Sequence, residues 1–225
     1  MVKTTKAGRL RRLFRLEIVY SVLMNWNERN IQTYDKSARE LAEYFAGIGA
    51  RTDDIELALK LAGANENARV VEMGCGDGRD AEEIVKRVAW YEGVDPSEGL
   101  LDIARERLSE TSFVRADALS YDYPKDLDVV YAFASLLHVD KTDMVPALAK
   151  IADSLRTGGV AYLSLKERPE YTEETKSDKY GERMFYYYNP EVIKQLAGTA
   201  FEAVHEDHQI IGNTEWFTLA LKKTA

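Results

Sequence analysis

Between residues 69 and 165 the sequence alternates short apolar runs with amphipathic stretches, and this alternation constrains the fold more than any other feature. Apolar runs at 69–73, 89–94, 112–115, 127–133 and 159–165 have the length of buried strands, and helical segments are predicted near 78–88, 98–108 and 142–156. Strand–helix–strand units join parallel strands through right-handed crossovers, so an α/β fold with a doubly wound, Rossmann-like sheet is expected. The ending differs. Asn189 and Pro190 supply an N-cap and first position for a helix to about residue 198. Strand-like runs at 201–211 and 214–222 then flank Gly212-Asn213, a pair suited to a tight hairpin turn. Five parallel strands followed by an antiparallel hairpin make a seven-stranded sheet.

Ahead of the sheet lie three predicted helices, at 9–26, at 33–46, and from Asp53 to Gly63 with Glu56 completing a capping box. The 225 residues suit a single domain, with 1–62 as an N-terminal helical cap on a core of 63–225. No stretch approaches the ~20 apolar residues of a membrane span, and the chain reads as cytoplasmic. The one cysteine, Cys75, excludes an intramolecular disulfide and a zinc site built on several thiolates. Net charge is −8, yet residues 1–15 carry six basic side chains and no acid, which leaves −14 on the remainder. Such an acidic body disfavours nucleic acid as a general partner, while the basic head reads as a solvated helix face able to touch an anionic surface. The sequence carries no signal for oligomeric state.

The first strand runs into Glu72-Met73-Gly74-Cys75-Gly76-Asp77-Gly78. This is G-x-G-x-G, not the G-x-G-x-x-G of dinucleotide-binding loops. A pyrophosphate would be repelled by Glu72 and Asp77, whereas a ligand carrying an ammonium group and a sulfonium would be attracted. The second strand ends at Asp95-Pro96, where a carboxylate can accept from both hydroxyls of a ribose. The third ends at Asp117-Ala118, where a carboxylate and a neighbouring N–H suit an adenine edge. Acids recurring at one edge of a sheet are harder to explain as separate turn residues than as a binding site.

In motifs and in order, VVEMGCGDG, GVDPS, RADA and LRTGGVAYLS resemble the class I S-adenosylmethionine-dependent methyltransferase family, in its small stand-alone bacterial type. The likeness runs from about residue 30 to the C-terminus. It implies S-adenosylmethionine as cofactor, with Glu72, Gly74, Cys75, Gly76 and Asp77 at the methionine end. It also implies Asp95 with Pro96 at the ribose, Asp117 with Ala118 at the adenine, and Tyr34 closing over the cofactor.

The activated methyl belongs to such a cofactor, so the protein has to align an acceptor and exclude water. Phe133, at the end of the fourth strand, is expected to wall the pocket. His138, just beyond it, is the candidate general base, since an ordinary imidazole is largely neutral at pH 7. His205 and His208 fall on opposite faces of one strand and receive no role. No Asn-Pro-Pro-Tyr or Asp-Pro-Pro-Tyr follows the fourth strand, Cys75 is poorly placed as an attacking thiolate, and no acidic or histidine cluster marks a metal site. The lid is expected from the N-terminal helices and residues 167–189, including the aromatic strip 183–188. The resulting expectation is methyl transfer to an oxygen, nitrogen or carbon of a small-molecule acceptor. Alternatives are a non-catalytic binding module on the same fold, or an RNA or protein methyltransferase recruited through the basic head.

Overall fold

A computed structural model describes residues 25–225, so the basic head and most of the helix expected at 9–26 lie outside the described residues. Three helices come first: α1 (Trp26–Lys36), α2 (Ala38–Ala46) and α3 (Thr52–Ala62). Then follow β1 (Arg69–Met73), α4 (Ala81–Ile84), β2 (Trp90–Asp95), α5 (Glu98–Arg107), β3 (Ser112–Arg115) and β4 (Leu127–Phe133). A 3₁₀ turn at Leu136–His138 leads into α6 (Lys141–Ser154) and β5 (Leu155–Lys166). The chain ends with β6 (Thr172–Asp178), β7 (Gly181–Tyr187), α7 (Pro190–Ala197), β8 (Phe201–Ile211) and β9 (Thr214–Lys223).

Seven strands form one sheet in the order β3-β2-β1-β4-β5-β9-β8. The first five strands are parallel, and β9 and β8 add antiparallel pairings at one edge. Alternate residues of the central strands feed two cores. Val70, Val129, Tyr131 and Val160 meet α3, α4 and α5 on one face, while Val71, Val130 and Ala132 meet α6 and α7 on the other. With both faces covered, the central strands read as nearly continuous apolar runs. The order reverses between β1 and β4. Crevices in open α/β sheets form beyond the carboxyl ends of the strands at such a reversal.

Several local expectations are corrected by tertiary contacts. The helix expected over 33–46 is two helices broken at Ser37, whose hydroxyl donates to the Tyr180 carbonyl at 2.9 Å instead of remaining in one continuous helix. The capping box at α3 does not form. Arg51 occupies the N-cap, its N–H donates to Asp80, and Glu56 is taken by Arg87. The segment 78–88 yields only the single turn of α4, because after Ile84 the chain turns to bring Ala89 and Trp90 onto the Ala68 carbonyl. The aromatic strip at 183–188 is the buried strand β7, paired antiparallel with β6 as a separate two-stranded sheet. Strand β6, TEETKSD, has no apolar face of its own, so its sequence carries no strand periodicity.

Candidate active site

The β1–α4 loop is held by close approach of backbone to backbone. Gly74 has φ +77°, and its N–H donates to the Val94 carbonyl at 2.6 Å. A Cβ on Gly74 would stand 2.0 Å from the Ser135 Cβ, so the ends of β1 and β4 meet only because glycine is there. The Ser135 hydroxyl fixes that meeting by donating to the Met73 carbonyl at 2.6 Å.

Three carboxylates line the edge. Glu72 is 2% exposed and accepts from the Tyr91 hydroxyl at 2.6 Å; burial pushes its carboxyl well above the usual range. Asp95 accepts from the N–H groups of Gly76 at 3.0 Å and Ser97 at 2.8 Å. Burial outweighs those bonds and lifts its carboxyl to about 6. Asp117 is opposite in sign. Burial raises it, but bonds from Ser120, Leu119 and Asn27 win and hold it below the usual range. Asp77, expected to offer its charge to a ligand, spends its carboxylate on Arg107 at 2.8 Å. That leaves Glu72 as the acid for a cation at this end, because Asp80 is likewise paired, with Arg79. Cys75 is a buried thiol, and burial with the nearby carboxylates drives it upward, away from the thiolate.

These groups border a cavity of about 620 Å³. Pro96 and Ala118 line the same end as Asp95 and Asp117, and Phe133 forms a wall with its ring stacked on Tyr131 and the Arg51 guanidinium 5.3 Å above it. Tyr34 reaches in from α1 and His138 from the 3₁₀ turn.

His138 is built as a strut. Its Nδ1 lies 2.7 Å from the Met184 carbonyl, which accepts only, so Nδ1 carries the proton. Nε2 then accepts from the Tyr34 hydroxyl at 2.8 Å. Asn30, 2% exposed, bonds both the N–H and the carbonyl of Met184 and holds β7 against this pair. Burial lowers the imidazole to about 3. With both nitrogens engaged and so weak a basicity, His138 departs from the expected general base. It positions the Tyr34 hydroxyl.

Four contributors were not singled out in the sequence. Asp35 accepts from the Ser97 hydroxyl and the Gly99 N–H, anchoring α1 to α5. Arg183, 8% exposed, lies over the rings of Tyr34 and Phe185, and Lys166 lies over Phe185 and Trp216. Tyr91 supports Glu72. Only Asp35 was within reach of pattern reasoning, as an acid near the end of an amphipathic helix. Lys166 and Arg183 become visible once β5 and β7 are placed side by side, and Tyr91 once β1 and β2 are paired.

Residues 70–159 match the family model described as a methyltransferase domain. The matched segment is a methyltransferase domain. The glycine loop and the three acidic strand ends through Asp117 fall inside it. The methyltransferase domain is 32% identical over 103 residues to the trans-aconitate 2-methyltransferase of Rhizobium rhizogenes, covering 44% of this chain and 39% of that one. It is 30% identical over 125 residues to the ubiquinone biosynthesis O-methyltransferase of Stutzerimonas stutzeri, covering 52% and 51%. The match thus spans about half or less of the length of these curated relatives. In fold it is similar to an S-adenosylmethionine-dependent methyltransferase from Clostridium acetobutylicum, with a TM-score of 0.65, 14% identity, and coverage of 89% of this chain and all of that one.

Proposed function

We propose that the chain transfers a methyl group from S-adenosylmethionine to a small-molecule acceptor held in the same cavity. One observation carries this reading. A buried carboxylate at the end of each of β1 and β2, and a half-buried one just after β3, faces a single cavity that continues to an aromatic and cationic end. The donor set suits the cofactor. Glu72, raised by burial, gains from an ammonium group; Asp95, raised to about 6, gains from two hydroxyl donors. The Oδ1 of Asp117 is filled by Ser120 and Leu119, while Oδ2, accepting from Asn27, keeps a lone pair for an exocyclic amine. Gly74 and Gly76 bring main chain close to the methionine end, with Cys75 and Asp77 contributing backbone. Pro96 and Ala118 flank the ribose and the base.

When bound, the cofactor supplies a methyl already activated on a sulfonium. The domain's own residues orient and dry the site. Phe133 walls it, and Tyr34, fixed by His138, closes it from α1. The helices before residue 63 serve as a cap on the core. At neutrality His138, held at about 3, is too weak a base, Tyr34, raised by burial, keeps its proton, and Lys166, lowered only to about 8, is mostly protonated. This favours an acceptor atom that is nucleophilic without prior deprotonation. The two curated relatives are named for trans-aconitate and for ubiquinone biosynthesis, which supports a small-molecule acceptor. A cytoplasmic setting accompanies this reading, since the one cysteine is a free thiol.

Calorimetric titration with S-adenosylmethionine, S-adenosylhomocysteine and NAD tests the reading. Saturable one-to-one binding of the first two without NAD is the expected result. Binding of NAD in their place would sink it.

A further inference from the structure

The acceptor end of the cavity carries a charge pattern that the cofactor does not need. Lys166, from the end of β5, lies with Nζ 3.7 Å from the Phe185 ring centre. Arg183, two residues earlier on β7, has its guanidinium carbon 5.4 Å from the same centre. Two cations therefore lie against one ring, whose centre is 4.8 Å from that of the His138 ring. Like charges this close repel and are partly stripped of water. They persist cheaply only if an anion joins them.

Their existing partners do not meet that need. Arg183 pairs with Asp178 through one terminal nitrogen and stands 3.5 Å from the Tyr34 hydroxyl through the other, while its Nε is buried without a hydrogen-bond partner in a side chain only 10% exposed. Lys166 makes no ion pair or hydrogen bond through Nζ among the described residues; its partners are the faces of Phe185 and Trp216. The other buried cations of the cavity are satisfied: Arg51 by Asp54 and Arg79 by Asp80. With Asp178 counted, Lys166 and Arg183 leave one positive charge unmatched. That is the complement of one carboxylate, while a phosphate dianion would leave an excess of negative charge.

Building on the methyltransferase reading, we infer that the acceptor is a small carboxylic acid whose carboxylate is held by Lys166 and Arg183 over the Phe185 ring. The walls agree in kind: an aromatic floor suits a planar or unsaturated carbon skeleton, and the guanidinium offers a directional donor to a carboxylate oxygen. A carboxylic acid also arrives ionised and needs no base to expose its charge.

The test is calorimetry on the protein saturated with S-adenosylhomocysteine. The probes are succinate, fumarate, citrate and benzoate, the primary amides of the same acids, and phenyl phosphate. At least one carboxylate should bind at least tenfold more tightly than its amide. Lys166→Met should abolish that preference and Lys166→Arg restore most of it, while S-adenosylhomocysteine affinity stays within twofold in both variants. Equal binding of acid and amide, or an unchanged preference in Lys166→Met, overturns the inference and leaves the cofactor reading intact. Tighter binding of phenyl phosphate than of any carboxylate overturns the assignment of the anion. Failure of S-adenosylhomocysteine itself to bind overturns the underlying reading, and the inference with it.

Discussion

At the β1–β3 end of the cavity, the charged groups follow successive strands and are held largely by main-chain N–H groups. At the other end, Tyr34, His138, Lys166 and Arg183 come from four separate segments and are held by one another and by rings. The first end is acidic and organised by the sheet. The second is cationic and organised by side chains on α1, the 3₁₀ turn, β5 and β7. A sheet edge changes little when side chains change. A side-chain cluster can be rebuilt by a few substitutions. On the proposed reading, the constant part of the reaction, cofactor binding, falls at the first end and the variable part, acceptor choice, at the second.

The sharpest way to break the comparison is at the joint between the ends. Gly74→Ala places a Cβ 2.0 Å from that of Ser135, at a φ of +77°. Left-handed strain and overpacking together should cost about 3 kcal/mol or more, a large share of a typical domain's stability. The urea midpoint should fall steeply and S-adenosylhomocysteine binding should vanish. A variant with an unshifted midpoint and intact binding would mean that β1 and β4 are not locked together here.

Asp95→Asn probes the acidic end alone. It removes the charge from hydrogen bonds worth ~1.5–3 kcal/mol, so cofactor affinity should drop about 10- to 100-fold with the fold retained. In the parent protein the free carboxyl stands at about 6, and hydroxyl donors lower it on binding. Binding therefore releases a proton. Affinity should be full above about pH 6 and weaken as pH falls below it. A pH-independent affinity between 5 and 8 would remove Asp95 from the site.

The cationic end should respond with the opposite sign. Burial, reinforced by Lys176 and Arg183 against Glu174 and Asp178, brings Lys166 down to about 8. A bound carboxylate raises it again, so binding takes up a proton. Carboxylate affinity should be full below about pH 8 and decline as pH rises through it. If both ligands instead lost affinity on the same side of neutrality, the contrast between the two ends would collapse.

The acidic end was legible because parallel strands, a glycine loop and strand-end acids are local in sequence. Residues 69–73 announce a strand, and Glu72, Asp95 and Asp117 follow from counting to strand ends. The cationic end was not legible for two physical reasons. Strand β6 has no apolar alternation, so the β6–β7 hairpin that carries Arg183 left only an aromatic strip as its trace. Lys166 and Arg183, in turn, acquire meaning only from the Phe185 ring they share. His138 was found by position, but sequence shows neither the burial that weakens its basicity nor the Met184 carbonyl that fixes its tautomer. The pairing of Asp77 was hidden likewise, since Arg107 lies thirty residues away along the chain.

Tyr34→Phe gives the smallest effect and separates strut from base. It removes the hydroxyl that donates to His138 Nε2, at a cost of about 1 kcal/mol in unfolding free energy. Burial is the first cause of the lowered imidazole, and Phe would maintain it. His138 should therefore stay neutral in both proteins. The chain has three histidines, and His208 provides an internal contrast: bonds to Glu167 and Glu206 raise it above its usual range. In a nuclear magnetic resonance titration from pH 5 to 8, His208 should titrate while the His138 signals stay constant, in the parent and in Tyr34→Phe alike. An imidazole at position 138 that titrates near 6.5 in either protein would restore it as a base and make the acceptor end a site of proton transfer. The constant signal instead leaves an anion-binding chamber in which the acceptor brings its own nucleophile.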